Sequence, residues 1–191
     1  HWLHRRQRQM CIRDRINKMD INGKKAIVFG GTSGIGLSAT QMLSDKGAHV
    51  IALSRNPDKL KNVPKNVTTK KMDVLDRDAL EKFFQEVGEY DILVNSATGG
   101  ARAVGPFLSM DLDGYRASFD KLWGYTNVVR YGAKFLKDNG NIVLVSGSPA
   151  RKCRPGQIAI SSVGGAVEAF ARGIAPELSL IHISEPTRLH L

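Results

Sequence analysis

The sequence contains little cysteine, and its two cysteines form no motif. Cys11 and Cys153 lie far apart in a chain of 191 residues, with no CxxC or Cys/His ligand spacing around them. A disulfide framework is therefore excluded, and no metal site is indicated. No apolar run is long enough to cross a bilayer, and the first 15 residues lack the apolar stretch of a secretory signal. We therefore expect a single cytoplasmic domain with one hydrophobic core.

The two ends of the chain differ from the rest of it. Met10 to Asp14 corresponds to a translation of AGATGTGTATAAGAGACAG, part of a transposase library adapter, and Leu178 to Ile183 corresponds to a translation of its reverse complement. Segments of this kind are set aside before the fold is considered. We interpret residues 1–18 and 179–191 as adapter-derived and non-native, and residues 19–178 as a truncated natural domain.

The basic charge of the chain is concentrated at these ends. Leaving out their seven basic and two acidic residues lowers the formal net charge from +10 to +5. Nucleic-acid binding would therefore require the segment from Arg5 to Arg15 to be a genuine basic arm, and an arginine-rich transit peptide is another alternative for that segment. For the remaining chain we expect neither a nucleic acid nor a membrane as a partner.

Apolar runs and helical periodicities alternate along the body of the chain. The short apolar runs predict five strands, at 24–29, 48–53, 67–72, 90–94 and 141–145. Helices are predicted between them, at 34–46, 57–61, 76–87 and 115–136, with a last helix that ends near Leu178. Alternation of this kind implies an α/β fold with a doubly wound parallel sheet, for which strand order 3-2-1-4-5 is the simplest topology. The apolar face of the first helix is expected to contain Ile35, Ala39, Met42 and Leu43.

A glycine-rich turn lies between the first predicted strand and the first predicted helix. Its sequence, Gly30-Gly31-Thr32-Ser33-Gly34-Ile35-Gly36, has the spacing GxxxGxG. We expect Gly30 to allow the tight turn, Gly34 to let the backbone approach a pyrophosphate, and Gly36 to allow close packing of the helix. The helix N-terminus would then offer N–H donors to a phosphate.

This turn and several later segments resemble the short-chain dehydrogenase/reductase family, over about residues 19–178. Asp73-Val74 follows the third strand where the family has an adenine-contacting Asp, and Asn95 and Ala97 match two of the four positions of its NNAG motif. The last predicted helix, residues 165–178, is similar to the family segment that follows the active-site lysine. The resemblance implies a Rossmann fold whose C-terminal strands are missing from this chain. It also implies a homodimer or homotetramer in the full-length protein, bound to a nicotinamide dinucleotide and a small-molecule carbonyl or alcohol.

The predicted cofactor-binding residues come from these motifs and from the end of the second strand. They are Gly30, Thr32, Ser33, Gly34, Ile35, Gly36, Ser54, Arg55, Asp73, Val74, Asn95 and Ala97. In place of the acid that would bind the ribose 2′-hydroxyl of NAD, the second strand ends in Ser54 and Arg55. An arginine can pair with a 2′-phosphate, so NADP(H) is favoured over NAD(H). The alternative is that Arg55 is only a solvated loop charge.

The catalytic positions implied by the resemblance are largely substituted. Ile160 and Gly164 occupy the YxxxK pair, in which the tyrosine transfers a proton and the lysine lowers the pKa of that tyrosine. Lys121 replaces the family's asparagine and is a candidate proton donor if it is desolvated, although a surface lysine is the commoner outcome. The carbonyl-polarising serine corresponds to Gly147, and we take Ser148 as its candidate replacement, with a loop cap as the alternative.

Two functions follow from these patterns. The first is an NADP(H)-dependent oxidoreductase that acts on a carbonyl/alcohol pair without the usual Tyr/Lys pair. The second is an NADP(H)-binding protein that is catalytically impaired, because the binding residues are present whereas the proton-transfer residues are largely absent. Nucleic-acid binding through the basic N-terminal arm is the weaker third alternative.

Overall fold

The computed structural model describes residues 20–60 and 62–178, which form a five-stranded parallel sheet with helices on both faces. The strands lie in the order β3-β2-β1-β4-β5. Their bounds are β1 Lys25–Phe29, β2 His49–Ser54, β3 Val67–Lys71, β4 Tyr90–Asn95 and β5 Leu136–Leu144. This architecture confirms the predicted fold class and strand order.

In the part of the chain that the structure describes, five α-helices connect the strands or follow them. They are α1 Gly34–Asp45, α2 Arg77–Val87, α3 Leu112–Ala117, α4 Asp120–Gly132 and α5 Ile158–Glu177. The predicted short helix after β2 is a 3₁₀ turn over Pro57–Lys59.

The prediction of a single long helix over 115–136 is wrong, because α3 and α4 are separate helices. Asp111 starts α3 early, since its carboxylate accepts hydrogen bonds from the backbone N–H groups of Asp113 and Gly114. The helices separate at Ser118, whose hydroxyl donates to the Gly114 carbonyl and accepts from the N–H of Ala103. Ser118 therefore joins the helix boundary to the loop that follows β4.

The fifth strand also begins earlier than the apolar run at 141–145 predicts. Leu136 already pairs with Tyr90, and the register shifts before Asn141 pairs with Ile92. Asn139, with φ 66°, and Gly140 lie at this irregularity. The polar residues that seemed to end a helix therefore form an irregular strand segment.

The helices cover the sheet through two hydrophobic clusters. The larger cluster packs β1, β4 and β5 against α2, α4 and α5, with Phe84, Tyr125 and Leu93 fully buried. A smaller cluster of alanines and valines, including Ala26 and Ala52, lies on the opposite face. Burial on both faces explains why the central strands are continuous apolar runs.

Helix α1 packs on the sheet through small residues, not through the face that its large apolar residues predict. Ile35 and Met42 are 66% and 61% exposed, whereas Gly36, Thr40 and Ser44 are buried. Small side chains allow the helix to approach the sheet closely, and the Thr40 hydroxyl donates to the Gly31 carbonyl. The predicted apolar face is therefore wrong at Ile35 and Met42.

The expectation that no apolar run is long enough to cross a bilayer is corrected by the length and hydropathy of helix α5. Among the helices of the described chain it alone has the length and composition of a membrane span, with a mean hydropathy of 1.3. Val167 and Ala171 nevertheless pack in the larger cluster, and Glu168 forms an ion pair with Arg151. In this fold one face of α5 covers the sheet, and 28% of the apolar stretch is buried.

Candidate cofactor site and active site

A cavity of about 390 Å³ opens at the carboxyl ends of the strands. These ends are aligned, because Phe29 pairs with Leu53 and Asn95, and Asn95 pairs with Leu144. Ligands of open α/β sheets bind at this edge, where the direction of strand order reverses. The cavity is lined by Lys121 and by most of the predicted cofactor residues, namely Gly30, Thr32, Ser33, Gly34, Ile35, Gly36, Ser54, Arg55, Asp73, Val74 and Ala97.

The glycine turn between β1 and α1 shapes one wall of the cavity. Gly30 has φ +74°, and its N–H donates to the Leu53 carbonyl oxygen at 2.8 Å. A Cβ on Gly36 would collide with the Gly30 carbonyl and the Ser96 hydroxyl. A Cβ on Gly34 would meet no atom within 4 Å, so this position is open toward the cavity. The turn therefore allows a ligand to approach the backbone closely.

The N-terminus of α1 provides donors for an anion at this wall. Leu37 is the first residue whose N–H bonds within the helix, to the carbonyl of Ser33. The Ser33 side chain does not cap the helix, and the first turn contains no acidic residue. Free N–H groups and the positive end of the helix dipole together favour a phosphate group.

The end of β2 forms the wall at which cofactor choice was predicted. The Thr32 hydroxyl donates to the Ser54 hydroxyl at 2.8 Å, which joins the glycine turn to the end of β2. Arg55 is exposed and lines the same cavity. Asp73 is the only acidic residue among the described residues that line the cavity, and its carboxylate accepts from the N–H of Leu75. No acid is therefore placed at the end of β2 to repel a 2′-phosphate.

Asn95 and Ser96 support the cavity floor from β4. Asn95 is fully buried and does not line the cavity, and its side-chain oxygen accepts from the N–H of Ala97. Its Nδ2 has no hydrogen-bond partner among the described residues. The Ser96 hydroxyl lines the cavity and donates to the Phe29 carbonyl at 2.9 Å. The structure thus places Asn95 beneath the site, where it shapes the loop containing Ala97.

The end of the cavity nearest β5 contains the candidate proton donor. Lys121 extends from the first turn of α4, and its Nζ lies 5.3 Å from the centre of the Tyr125 ring. Burial, aided by the positive charge of Arg102, lowers the pKa of Lys121 from 10.5 to about 8. The Tyr125 hydroxyl donates to the carbonyl of Val145, another lining residue. Lys121 is thus a partly desolvated amine in a cavity, which is a common feature of functional groups.

The loop after β5 brings Ser146 to the cavity and leaves Ser148 outside it. Ser148 is exposed and begins a short 3₁₀ turn after Gly147, where the backbone is extended. Ser146 lines the cavity, and its hydroxyl donates to the Gly164 carbonyl at 3.0 Å. The prediction of Ser148 as the candidate serine is therefore not supported by the geometry, which places the nearby Ser146 at the cavity.

Ile160 and Gly164 on α5 do not line the cavity. A Cβ on Gly164 would lie 2.8 Å from the Ala150 Cβ and 3.3 Å from the Ser146 hydroxyl. Ala150 therefore occupies the space into which a side chain at this position would extend. A lysine at Gly164 would require the loop after β5 to move.

Several lining residues were not identified from the sequence. They are Phe29, Leu53, Asn56, Met72, Ser96, Thr98, Gly99, Arg102, Val145 and Ser146. Most lie at or just after a strand end, and the aligned carboxyl ends of a parallel sheet could have indicated them. Arg102 lies further into a loop, where no local pattern marks it.

Fold and cavity together define a dinucleotide-binding α/β protein of the oxidoreductase type, and comparison with known proteins agrees. The profile of the short chain dehydrogenase family matches residues 24–184. The 2,3-dihydro-2,3-dihydroxybenzoate dehydrogenase of Bacillus subtilis is 30% identical, over 88% of this chain and 69% of that protein. The L-xylulose reductase of Mesocricetus auratus is 29% identical, over 84% of this chain and 68% of that protein.

A solved structure gives the same result. The structure of a short chain dehydrogenase from Burkholderia cenocepacia in complex with NADP has a TM-score of 0.78 and 26% identity, over 87% of this chain and 71% of that one. The chain therefore belongs to the short-chain dehydrogenase family.

Proposed function

We propose that the protein is an NADP(H)-dependent oxidoreductase that interconverts a carbonyl compound and an alcohol. The observation that carries this proposal is the position of Arg55, which follows β2 in the cavity beside the Thr32–Ser54 hydrogen bond, with no acid at that strand end. A guanidinium there suits a 2′-phosphate, because it forms charge-assisted, bidentate hydrogen bonds. The similar Burkholderia protein was solved in complex with NADP.

The remaining lining residues fit the other parts of the dinucleotide. The N–H groups at Gly34, Ile35 and Gly36 would hold the pyrophosphate, since the open position at Gly34 admits a phosphate to the backbone. Asp73 and Val74 would border the adenine ring. The end of the cavity that contains Lys121 and Ser146 would then border the nicotinamide and the substrate.

Lys121 is the proposed proton donor. A bound nicotinamide supplies or accepts the hydride at the substrate carbon. In carbonyl reduction the Lys121 ammonium gives one proton to the substrate oxygen, and the neutral amine regains a proton from solvent. Its lowered pKa, about 8, brings both protonation states into the neutral range, as general acid and base catalysis requires.

Cofactor titrations test the nucleotide assignment. Arg55→Ala should weaken NADPH binding roughly 10- to 100-fold, since hydrogen bonds to charged groups contribute about 1.5–3 kcal/mol. NADH binding should change less than about twofold, because NADH has no 2′-phosphate. Arg130→Gln, which removes an exposed charge from α4 outside the cavity, is the matched control. Equal losses for both nucleotides in Arg55→Ala would refute the NADP(H) assignment.

Nucleotide binding without turnover is the second candidate function. It is favoured by the loss of the tyrosine and lysine at Ile160 and Gly164, and by the Ser146 hydroxyl, whose proton is already donated to the Gly164 carbonyl. A panel of aldehydes and ketones, assayed through NADPH absorbance, separates the two candidates. Tight NADPH binding with no consumption above the Lys121→Met background would support the binding protein.

A further inference from the structure

The loop from Ser96 to Pro106 holds Arg102 at the Lys121 end of the cavity. Gly99 has φ +74°, and a Cβ built on it would lie 2.8 Å from the Lys121 backbone nitrogen. After Arg102, the N–H of Ala103 donates to the Ser118 hydroxyl at 2.9 Å. The loop therefore passes close to the start of α4 at Gly99 and is hydrogen-bonded, just after Arg102, to the boundary between α3 and α4 at Ser118. Arg102 and Lys121 line one cavity as a result.

The same loop is also fixed to the segment that precedes α5. The N–H of Gly105 donates to the Gly156 carbonyl oxygen at 2.9 Å. The backbone around Arg102 thus has hydrogen-bonded support from two other parts of the chain. Such support is expected of a binding residue, because a pre-organised loop loses less entropy when a ligand binds.

The charges at this end of the cavity are not balanced. Neither Arg102 nor Lys121 forms an ion pair with any acid in the described parts of the chain. Among the described residues that line the cavity the only acid is Asp73, which follows β3 and forms no ion pair with either cation. Asp120 is adjacent in sequence, but its carboxylate lies toward Gly100 and does not line the cavity. Two neighbouring cations without an anion repel each other, and an anionic ligand would relieve that repulsion.

We propose that the substrate carries a carboxylate in addition to its reacting carbonyl or alcohol, and that Arg102 binds this carboxylate while Lys121 faces the reacting oxygen. Arg102 suits the role because its planar guanidinium can form paired hydrogen bonds with a carboxylate. This inference rests on the proposed oxidoreductase function and narrows its substrate class to oxo acids and hydroxy acids.

Matched substrates test the inference on the protein itself. Three oxo acids of different size, pyruvate, levulinate and 4-formylbenzoate, are compared with their carboxamides as NADPH-dependent substrates. At least one acid should exceed its amide in kcat/KM by roughly 10- to 100-fold, as a charge-assisted pair would provide. Arg102→Gln should abolish that preference through KM, Arg102→Lys should restore part of it, and the exposed control Arg130→Gln should leave it unchanged.

A binding measurement tests the carboxylate subsite without requiring turnover. The NADPH-bound protein is titrated by calorimetry with lactate, 4-hydroxyvalerate and 4-(hydroxymethyl)benzoate, the alcohols of the three oxo acids, and with their carboxamides. These complexes cannot react, because the cofactor is already reduced. A preference for an acid that Arg102→Gln removes would support the subsite even if no substrate were turned over and the proposed function failed.

Three results would overturn the inference. One is equal reduction of acids and amides, which would leave the oxidoreductase function standing. Another is an Arg102→Gln variant that weakens NADPH as much as it weakens the acid, because Arg102 would then serve a cofactor phosphate. The third is calorimetry that shows no preference for any acid over its amide.

Discussion

The two ends of the cavity differ in what they retain of the family pattern. At the β1–β2 end, the glycine turn, Arg55 and Asp73 line the part of the cavity where we propose that the dinucleotide binds. At the β4–β5 end, the positions of the usual tyrosine and lysine hold Ile160 and Gly164, which do not line the cavity. Lys121 and Arg102 provide the charged groups there instead.

The two ends differ because phosphate binding and proton transfer have different structural requirements. Phosphate binding at the glycine turn depends on backbone shape and on free N–H groups, which change only if a glycine changes. Proton transfer depends on one titratable side chain near the reacting atom, and such a group can come from any element that borders the cavity. The structure offers Lys121 on α4 where the family uses residues on the last helix.

The largest expected effect is the loss of turnover when the Lys121 amine is removed. If turnover did not fall, the β4–β5 end would not depend on Lys121 for proton transfer. Lys121→Met removes the ammonium group and keeps an aliphatic chain over the Tyr125 ring. Carbonyl reduction should fall roughly 10²- to 10⁴-fold, the usual contribution of general acid catalysis. NADPH affinity, measured by energy transfer from tryptophan, should change far less. An unchanged rate would exclude Lys121 as the proton donor.

The pH dependence should identify the same group. Burial and the charge of Arg102 lower the pKa of Lys121 to about 8. Reduction needs the protonated amine, so its kcat/KM should be level below pH 8 and should fall above it. Alcohol oxidation needs the neutral amine and should rise across the same range. Arg102→Gln removes a neighbouring positive charge and should move both midpoints upward, whereas Lys121→Met should lack the transition.

The next effect concerns the end that retains the family pattern. Gly36→Ala places a Cβ against the Gly30 carbonyl and the Ser96 hydroxyl. It should destabilise the fold by about 1–3 kcal/mol, as overpacking does, and should weaken NADPH binding roughly 10- to 100-fold by displacing the turn. Gly173→Ala is a matched control, since a Cβ on that α5 glycine meets no atom within 4 Å. Thermal melts and NADPH titrations of both variants provide the measurements.

Sequence patterns predicted the fold and the shape of the nucleotide end well, for physical reasons. Buried parallel strands are continuous apolar runs, and a glycine turn has few alternatives, so the strand order and the turn at Gly30 could be predicted locally. The face of α1 that contacts the sheet could not be predicted locally. Its contact with the sheet uses Gly36, Thr40 and Ser44, and small residues give no hydrophobic periodicity.

The β4–β5 end was predicted less well because its site depends on tertiary contacts. Arg102 reaches the cavity through hydrogen bonds between segments that are distant in sequence, and no spacing rule connects it to Lys121. Ser146 and Ser148 could not be distinguished, since the direction of the chain at Gly147 decides which of them faces the cavity. The desolvation of Lys121 also depends on packing that is visible only in the fold.

A smaller effect tests whether the space beside Gly164 on α5 is filled by Ala150. Gly164→Ala should destabilise the protein by about 1–3 kcal/mol, because the added Cβ would lie 2.8 Å from that of Ala150. Gly165→Ala, at a position with no atom within 4 Å, should instead stabilise the helix by roughly 0.5–1 kcal/mol. Denaturant unfolding compares the two variants. A Gly164→Ala variant as stable as Gly165→Ala would mean that Ala150 leaves room for a Cβ at this position.

The smallest predicted effect shows whether Tyr125 only supports the Lys121 end of the cavity or also takes part in proton transfer there. Tyr125→Phe removes the hydroxyl that donates to the Val145 carbonyl and keeps the ring beneath the Lys121 ammonium. The free energy of unfolding should fall by about 0.5–1.5 kcal/mol, the usual contribution of one hydrogen bond. The pH midpoint of turnover should stay near 8, because burial and Arg102, which lower the pKa of Lys121, are unchanged. A midpoint that moves with Tyr125→Phe would mean that this hydroxyl takes part in the proton transfer that we assign to Lys121 alone.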